Sequence, residues 1–396
     1  MIKVRFYGLM PLGIALIMLS ASAACNYPQA KPKLNVGNPA LETLVATELS
    51  PERTSASSEL TQPGNLTASP PLVDFKMIDG RDGWGLGGQL VWRSTDGGAE
   101  WADVTPQGYG SQGLDGHGFF RDANTAWVML PNAGSSSAWL FQTSDGGRTW
   151  RKSATPFSDG QLFFLDDRTG WALSIPSAGG GSAEADVYQT TDGGASWNEV
   201  YKMNPSQPEA PGGLPLSGMK NGIAFRDKSH GWVTGSVPVD GYVWLFATSD
   251  GGVTWQHQGL ETPLDQQSHL LAIDPPIFYG SQNGLLPVGL TSDSFHWDFY
   301  VTQDGGATWT STSLSPGSGR YDFLTLENGF IWDAAGLHVT HDGGVTWSSI
   351  KPNVDLSQRL LGLDFVTPST GWALALDANG ESRLYKTTDG GTTWGP

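Results

Sequence analysis

The sequence predicts an all-β protein, a seven-bladed β-propeller of four-stranded antiparallel blades, preceded by a signal peptide and a flexible linker. Three observations in register carry that reading. The unit Asp-Gly-Gly-x-x-Trp occurs seven times, at Asp96–Trp101, Asp145–Trp150, Asp192–Trp197, Asp250–Trp255, Asp304–Trp309, Asp342–Trp347 and Asp389–Trp394, with Ser or Thr two residues before each Asp. A small residue followed by a large apolar one precedes each unit: Gly83-Trp84, Ala126-Trp127, Gly170-Trp171, Gly231-Trp232, Gly284-Leu285, Gly329-Phe330 and Gly371-Trp372. Seven positions before each of these large residues stands a further apolar one: Met77, Phe120, Phe164, Phe225, Phe278, Phe323 and Phe365. Successive repeats begin 38 to 58 residues apart, the length of one propeller blade.

Each repeat divides into four short strands. Strand A carries the first apolar landmark, and a polar turn leads to strand B, which opens on the small-large pair. Strand C ends in Ser/Thr-x-Asp, and strand D begins at the Trp of the repeat. The box Asp can accept backbone N–H groups across the C–D turn, and the paired glycines supply backbone angles that a Cβ forbids. The Trp then turns inward to fill space between strands. A calcium loop needs several oxygen ligands at alternate positions, whereas each repeat offers one, so no metal and no cofactor is expected. After Trp394 only Gly395 and Pro396 follow, so the last blade lacks a strand D of its own. A segment within residues 45–71 is expected to supply it, because an unpaired edge is a liability.

Composition agrees with short strands and tight turns. The 396 residues include 53 Gly and 17 Trp, and only 15% are charged. A formal charge of −17 argues against nucleic-acid binding and against electrostatic docking on anionic lipid. The one cysteine, Cys25, excludes an intrachain disulfide and a cysteine metal site.

The chain opens with Lys3 and Arg5, an apolar run from Phe6 to Leu19, and Ser20-Ala21-Ser22-Ala23-Ala24-Cys25. Residues 1–24 therefore read as a secretory signal. A Cys directly after Ala-Ala resembles the bacterial lipobox, which implies lipidation at Cys25 and a membrane-anchored, exported protein. Ordinary cleavage near Ala23 or Ala24 and an uncleaved anchor helix are the alternatives. Residues 25–71 are rich in Pro, Ser and Thr and read as a tether. The propeller occupies residues 72–396.

The repeat resembles the Asp-box, or bacterial neuraminidase repeat. The pairing of Gly231-Trp232-Val233-Thr234-Gly235 with Asp250-Gly251-Gly252-Val253-Thr254-Trp255 looks more like the photosystem II assembly factor family of seven-bladed propellers. That resemblance covers residues 72–396 and implies a binding or assembly role. The Phe/Tyr-Arg-Ile-Pro segment of sialidases is absent here. The Arg-rich patch associated with the assembly factors meets a propeller with twice as many acidic as basic residues.

Variable sequence concentrates in the B–C and D–A loops, where specificity is expected. Trp139, Trp244 and Trp297 fall outside the repeat landmarks, near the start of strand C. They are candidates for an exposed rim that stacks on a sugar or anchors a partner, with packing between blades as the alternative. Asp115, His117, Asp240 and Tyr242 are polar candidates on the same loops. The sequence thus supports an exported, lipid-anchored, non-catalytic propeller that binds an envelope protein or glycan. A glycan-active hydrolase or lyase using paired acids of the variable face is the alternative.

Overall fold

Every Asp-Gly-Gly segment closes a hairpin by one hydrogen-bond pattern, seen clearly at Asp250. The Thr248 hydroxyl donates to Asp250 Oδ1 at 2.7 Å and accepts the Gly252 N–H at 3.0 Å. Asp250 then accepts the Thr254 N–H at 2.9 Å and the Thr254 hydroxyl at 2.6 Å. Gly251 and Gly252 hold φ of 81° and 100°, which a side chain would oppose. The pattern recurs with the same spacing at Asp145, Asp192, Asp304, Asp342 and Asp389. At Asp96 the last position is Glu100, which contributes its N–H alone.

The first glycine of each turn also ties it to the A–B turn of its own repeat. Gly97 donates to Arg81 O at 2.7 Å, Gly251 to Ser229 O at 2.9 Å and Gly390 to Ser369 O at 2.9 Å. A–B and C–D turns therefore share one face, and the B–C and D–A loops leave from the other.

The computed structural model describes residues 58–60, 66–109, 116–130, 135–263, 269–291 and 293–396. Residues 1–24, Cys25 and most of the 25–71 tether lie outside them. Among the described residues regular structure is entirely β. The third repeat is typical, an antiparallel meander of Gln161–Phe164, Gly170–Ser174, Asp186–Thr190 and Asn198–Lys202. The fourth and fifth repeats merge into one continuous sheet, because Ser236 at the end of strand Gly231–Ser236 pairs with Ala272 in strand Leu270–Ile273.

The last repeat has three strands, Leu360–Phe365, Gly371–Leu376 and Ser382–Thr387. Its fourth position holds only a Lys386–Gly395 bridge. Ser58–Leu60 and Leu66–Thr67 do not complete it, and the rest of the 45–71 segment expected to supply that strand lies, for the most part, outside the described residues. Ser58–Leu60 pairs with Thr149–Ala154, and Leu66–Thr67 pairs with Trp101–Asp103, each adding an outer fifth strand. The ladder edges of the first two repeats lie open beside this segment and take it up.

The repeats are joined by aromatic stacking. The B-strand aromatic of one lies flat on the A-strand Phe of the next: Trp127 on Phe164 at 3.8 Å, Trp171 on Phe225 at 3.7 Å and Phe330 on Phe365 at 3.6 Å. The Trp of the second repeat in each pair then packs against the stack edge-on, as Trp197, Trp255 and Trp394 do. Such pairs contribute about 0.5–1.5 kcal/mol beyond their buried area. The Trp indole N–H also reaches across, from Trp127 to Gly193 O at 3.0 Å and from Trp171 to Gly251 O at 2.9 Å. The last repeat makes the same bond to the first, Trp372 to Gly97 O at 2.9 Å. Among the described residues the array therefore closes on itself without a shared strand.

Buried carboxylates reinforce the last joints. Asp364 accepts the Met77 N–H at 2.6 Å, and Asp322 accepts the Phe365 N–H at 2.7 Å. Replacing Asp364 with Ala strands a buried amide, a loss of about 2–3 kcal/mol, because hydrogen bonds to charged groups are the strong ones. Urea unfolding should show that loss for Asp364→Ala and a smaller one for Asp364→Asn, whose amide oxygen still accepts.

Candidate functional site

Neighbouring A strands touch one another, which sets them around the axis. Their polar side chains form a belt from joint to joint. Gln161 Nε2 donates to Asn221 O at 2.7 Å, and Asn221 Nδ2 donates to Ile273 O at 3.0 Å. A register shift between Lys220 and Gly222 leaves Asn221 as an extra residue, and such bulges re-aim a side chain. The Tyr321 hydroxyl donates to Asp274 Oδ2 at 2.9 Å. His117 Nε2 lies 3.3 Å from Asp159 Oδ1.

This crowding perturbs the carboxylates. Burial pushes Asp74 up to about 6, opposed by the Phe75 N–H and by His117. Burial likewise raises Asp274 to about 6, opposed by the Tyr321 hydroxyl and by Arg320. His117 is raised, chiefly through its hydrogen bond to Asp159. The turn carboxylates behave oppositely. Asp304, Asp342 and Asp389 are held down to about 2 by the hydroxyls of Thr308, Thr346 and Thr393, then by the same residues' N–H groups.

The expected Trp rim is not formed. Trp244 is fully buried, its indole N–H donating to Ser217 O at 2.9 Å. Trp139 is half-buried, with the Lys152 ammonium 4.2 Å above its ring. Trp297 is half-buried against Phe295 and Tyr321, and its N–H donates to Gly319 O at 3.1 Å. All three lie at or near the start of strand C, and the loops leading into strand A cover Trp244 at Ser217 and Trp297 at Gly319. The turn Trp residues Trp101, Trp150, Trp255, Trp309 and Trp394 are buried, while Trp197 and Trp347 are half-buried.

The polar candidates separate in space. His117 belongs to the axial belt, Asp240 and Tyr242 are exposed on a B–C loop of the fourth repeat, and Asp115 lies outside the described residues. The sequence reading missed Lys220. This buried ammonium is ringed by the carbonyls of Ala183, Pro215, Leu216, Ser217 and Gly218 at 2.5–3.4 Å, with the Trp244 ring 4.9 Å away. Burial lowers it to about 8. It fixes the long loop before strand Met219–Phe225 against a neighbouring hairpin. A lysine inside a strand rather than in a motif gave no signal for that role.

A cleft of about 370 Å³ lies on the opposite face, between the fourth and fifth repeats, and includes Arg226, Trp232, Gln258 and Asp304. Its polar groups are engaged in holding the joint: Arg226 donates to Gly305 O, and Gln258 bridges the Trp232 N–H and Gly306 O. It is a seam between blades, and the exposed variable face is the better candidate surface.

Strand order, axial belt and closure define a β-propeller. Among solved structures the chain is similar to YCF48 bound to D1 peptide, with TM-score 0.51 and 17% identity over 86% of this chain and 99% of that one. It is also similar to YCF48 from Cyanidioschyzon merolae, with TM-score 0.52 and 16% identity over 83% and 99%. At these identities the likeness shows the fold alone. No family model and no curated protein matches the sequence.

The perturbed carboxylates fix a sign for the pH dependence. Asp274 holds its proton in the folded state up to about pH 6 but loses it near 3.8 when unfolded. Its contribution is therefore full below 3.8 and lost as pH rises through about 6. The turn carboxylates give stability above 3.8 that is lost as pH falls through about 2. Urea midpoints measured across pH should show Asp274→Asn gaining on the parent between about pH 4 and pH 6 and staying ahead above that range. The reverse trend would contradict the assignment.

Proposed function

We infer that this chain is a non-catalytic, seven-bladed Asp-box propeller that binds a protein partner through its variable face, exported and held at the membrane by lipid on Cys25. The carrying observation is the distribution of exposed apolar side chains. Val73, Met219, Val239, Tyr242 and Leu270 are exposed on the face of the B–C and D–A loops. Val253 and Val345 stand singly at turns of the other face, and Leu66 stands alone on the outer edge strand of the first repeat. Clustered exposed apolar groups mark interaction surfaces, whereas single ones are ordinary.

The inner-strand acids support binding over hydrolysis. Asp274, Asp322 and Asp364 are engaged as acceptors at the joints. The similar propeller YCF48 has been solved with a bound D1 peptide, an instance of this fold holding a polypeptide.

Two experiments test the reading. A photocrosslinking phenylalanine analogue at Tyr242 should trap a protein partner on intact cells, and the same analogue at Val253 should not. Trapping only from Val253, or release of new sugar ends by the purified chain, would overturn it. Cys25→Ser should move the chain from the membrane fraction to the soluble one, and an unchanged distribution would remove the anchor.

A further inference from the structure

Four of the exposed apolar residues meet at one place. Met219 pairs across the sheet with Ser236, and Ser236 pairs with Ala272 in the next repeat. Side chains of directly paired residues share a face, as do those two apart along a strand. Met219 and Leu270, which stands two before Ala272, therefore lie on one face across three adjacent strands. The Gly241 N–H donates to His269 O at 2.8 Å, which brings the loop carrying Val239 and Tyr242 beside Leu270. These side chains are 43%, 38%, 52% and 37% exposed for Met219, Leu270, Val239 and Tyr242.

The patch has a rigid base and an acidic rim. The Ser236–Ala272 pairing stitches the fourth and fifth repeats into one sheet beneath it. Lys220, next to Met219, points the other way into its cage of carbonyls, so its charge faces inward. Asp240 and Glu209 are exposed around Tyr242. Burial, and then the charge of Glu209, push the Tyr242 phenol up from its ordinary value. The chain as a whole carries −17. An apolar centre with a rim of one sign selects a partner carrying the opposite sign around its own apolar group.

We propose that the Met219–Val239–Tyr242–Leu270 patch is the docking site for a protein segment in which apolar side chains are flanked by lysine or arginine. The proposal rests on the binding role inferred above and names the chemistry of its partner. The apolar side chains seat on Met219 and Leu270, Tyr242 closes one side, and the basic residues face Asp240 and Glu209. Electrostatics steers the approach and selects against acidic segments.

The test uses the purified full-length chain in detergent and the fluorescent peptide Lys-Leu-Lys-Phe-Lys-Leu-Lys, followed by anisotropy. Two comparison peptides replace every Lys with Glu, or every apolar residue with Ser. The basic apolar peptide should bind at least about tenfold more tightly than either, a difference of about 1.4 kcal/mol. The double variant Met219→Ser with Leu270→Ser should lose about tenfold, and Val253→Ser on the opposite face should lose nothing. Both changes are at exposed positions, and an unchanged urea midpoint would show the fold intact. Asp240→Asn should weaken binding and its salt dependence together.

Equal binding of the Ser peptide would reduce the effect to net charge and overturn the proposal. So would retention in the double variant, displacement by a neutral cello-oligosaccharide, or no binding at all. If these peptides fail while Tyr242 still traps a protein on cells, the partner chemistry is wrong and the binding role stands. If both fail, the binding role falls with it.

Discussion

The molecule depends on one aromatic contact that recurs at most of its joints. The ring on strand B of one repeat lies flat on the ring on strand A of the next, and a Trp packs against that pair edge-on. A four-stranded meander buries too little on its own to be stable, and stacking on a neighbour completes its core. The contact also sets direction, because each repeat presents its B-strand residue forward and its A-strand residue backward. An array with such polarity closes when the last repeat meets the first. Trp372 does so by donating to Gly97 O, the same indole-to-turn bond made within the array. Where the aromatic is replaced, as at Leu285, the joint is filled by Phe299, Phe323 and Ile331 in the same cluster.

The Asp-Gly-Gly turns work at a different level. Each satisfies its own carboxylate locally, with a Ser or Thr hydroxyl before it and an N–H after it, and each is bonded to the A–B turn of its repeat. One face of the propeller is therefore occupied by turns with few free polar groups. The other face carries the long loops, and it is there that the molecule has freedom to vary. Scaffold and surface are separated by the direction of the strands.

Polar groups near the axis serve the ring. The belt through Gln161, Asn221, Asp274 and Tyr321 meets the buried acceptors Asp322 and Asp364. Burial lifts Asp74 and Asp274 toward neutrality, as a crowded axial position requires. Carboxylates at the axis of a propeller resemble a catalytic arrangement when seen in sequence. Here their lone pairs meet amides and hydroxyls of adjacent repeats, so they serve as acceptors that close the ring. Lys220 is the cationic counterpart, with carbonyl dipoles in place of a counterion.

The repeats, their strand content and the inward Trp side chains were legible from the sequence, because each rests on a short-range rule. A glycine pair permits one turn, an Asp two residues after a hydroxyl satisfies it, and period-two alternation assigns faces. The same local rules gave no access to contacts between residues far apart in the chain. Asp364 reaches Met77, Lys220 reaches Ala183, and Trp244 is covered by the loop ending at Ser217. The Trp rim expected from spacing failed for that reason: position along a strand says which residues are near a face, and only the folded loops decide whether that face is covered. The apolar patch at Met219 and Leu270 arises likewise, because it exists only once two repeats share a sheet. Sequence determined the blade, and tertiary structure decided which side chains the ring leaves in water.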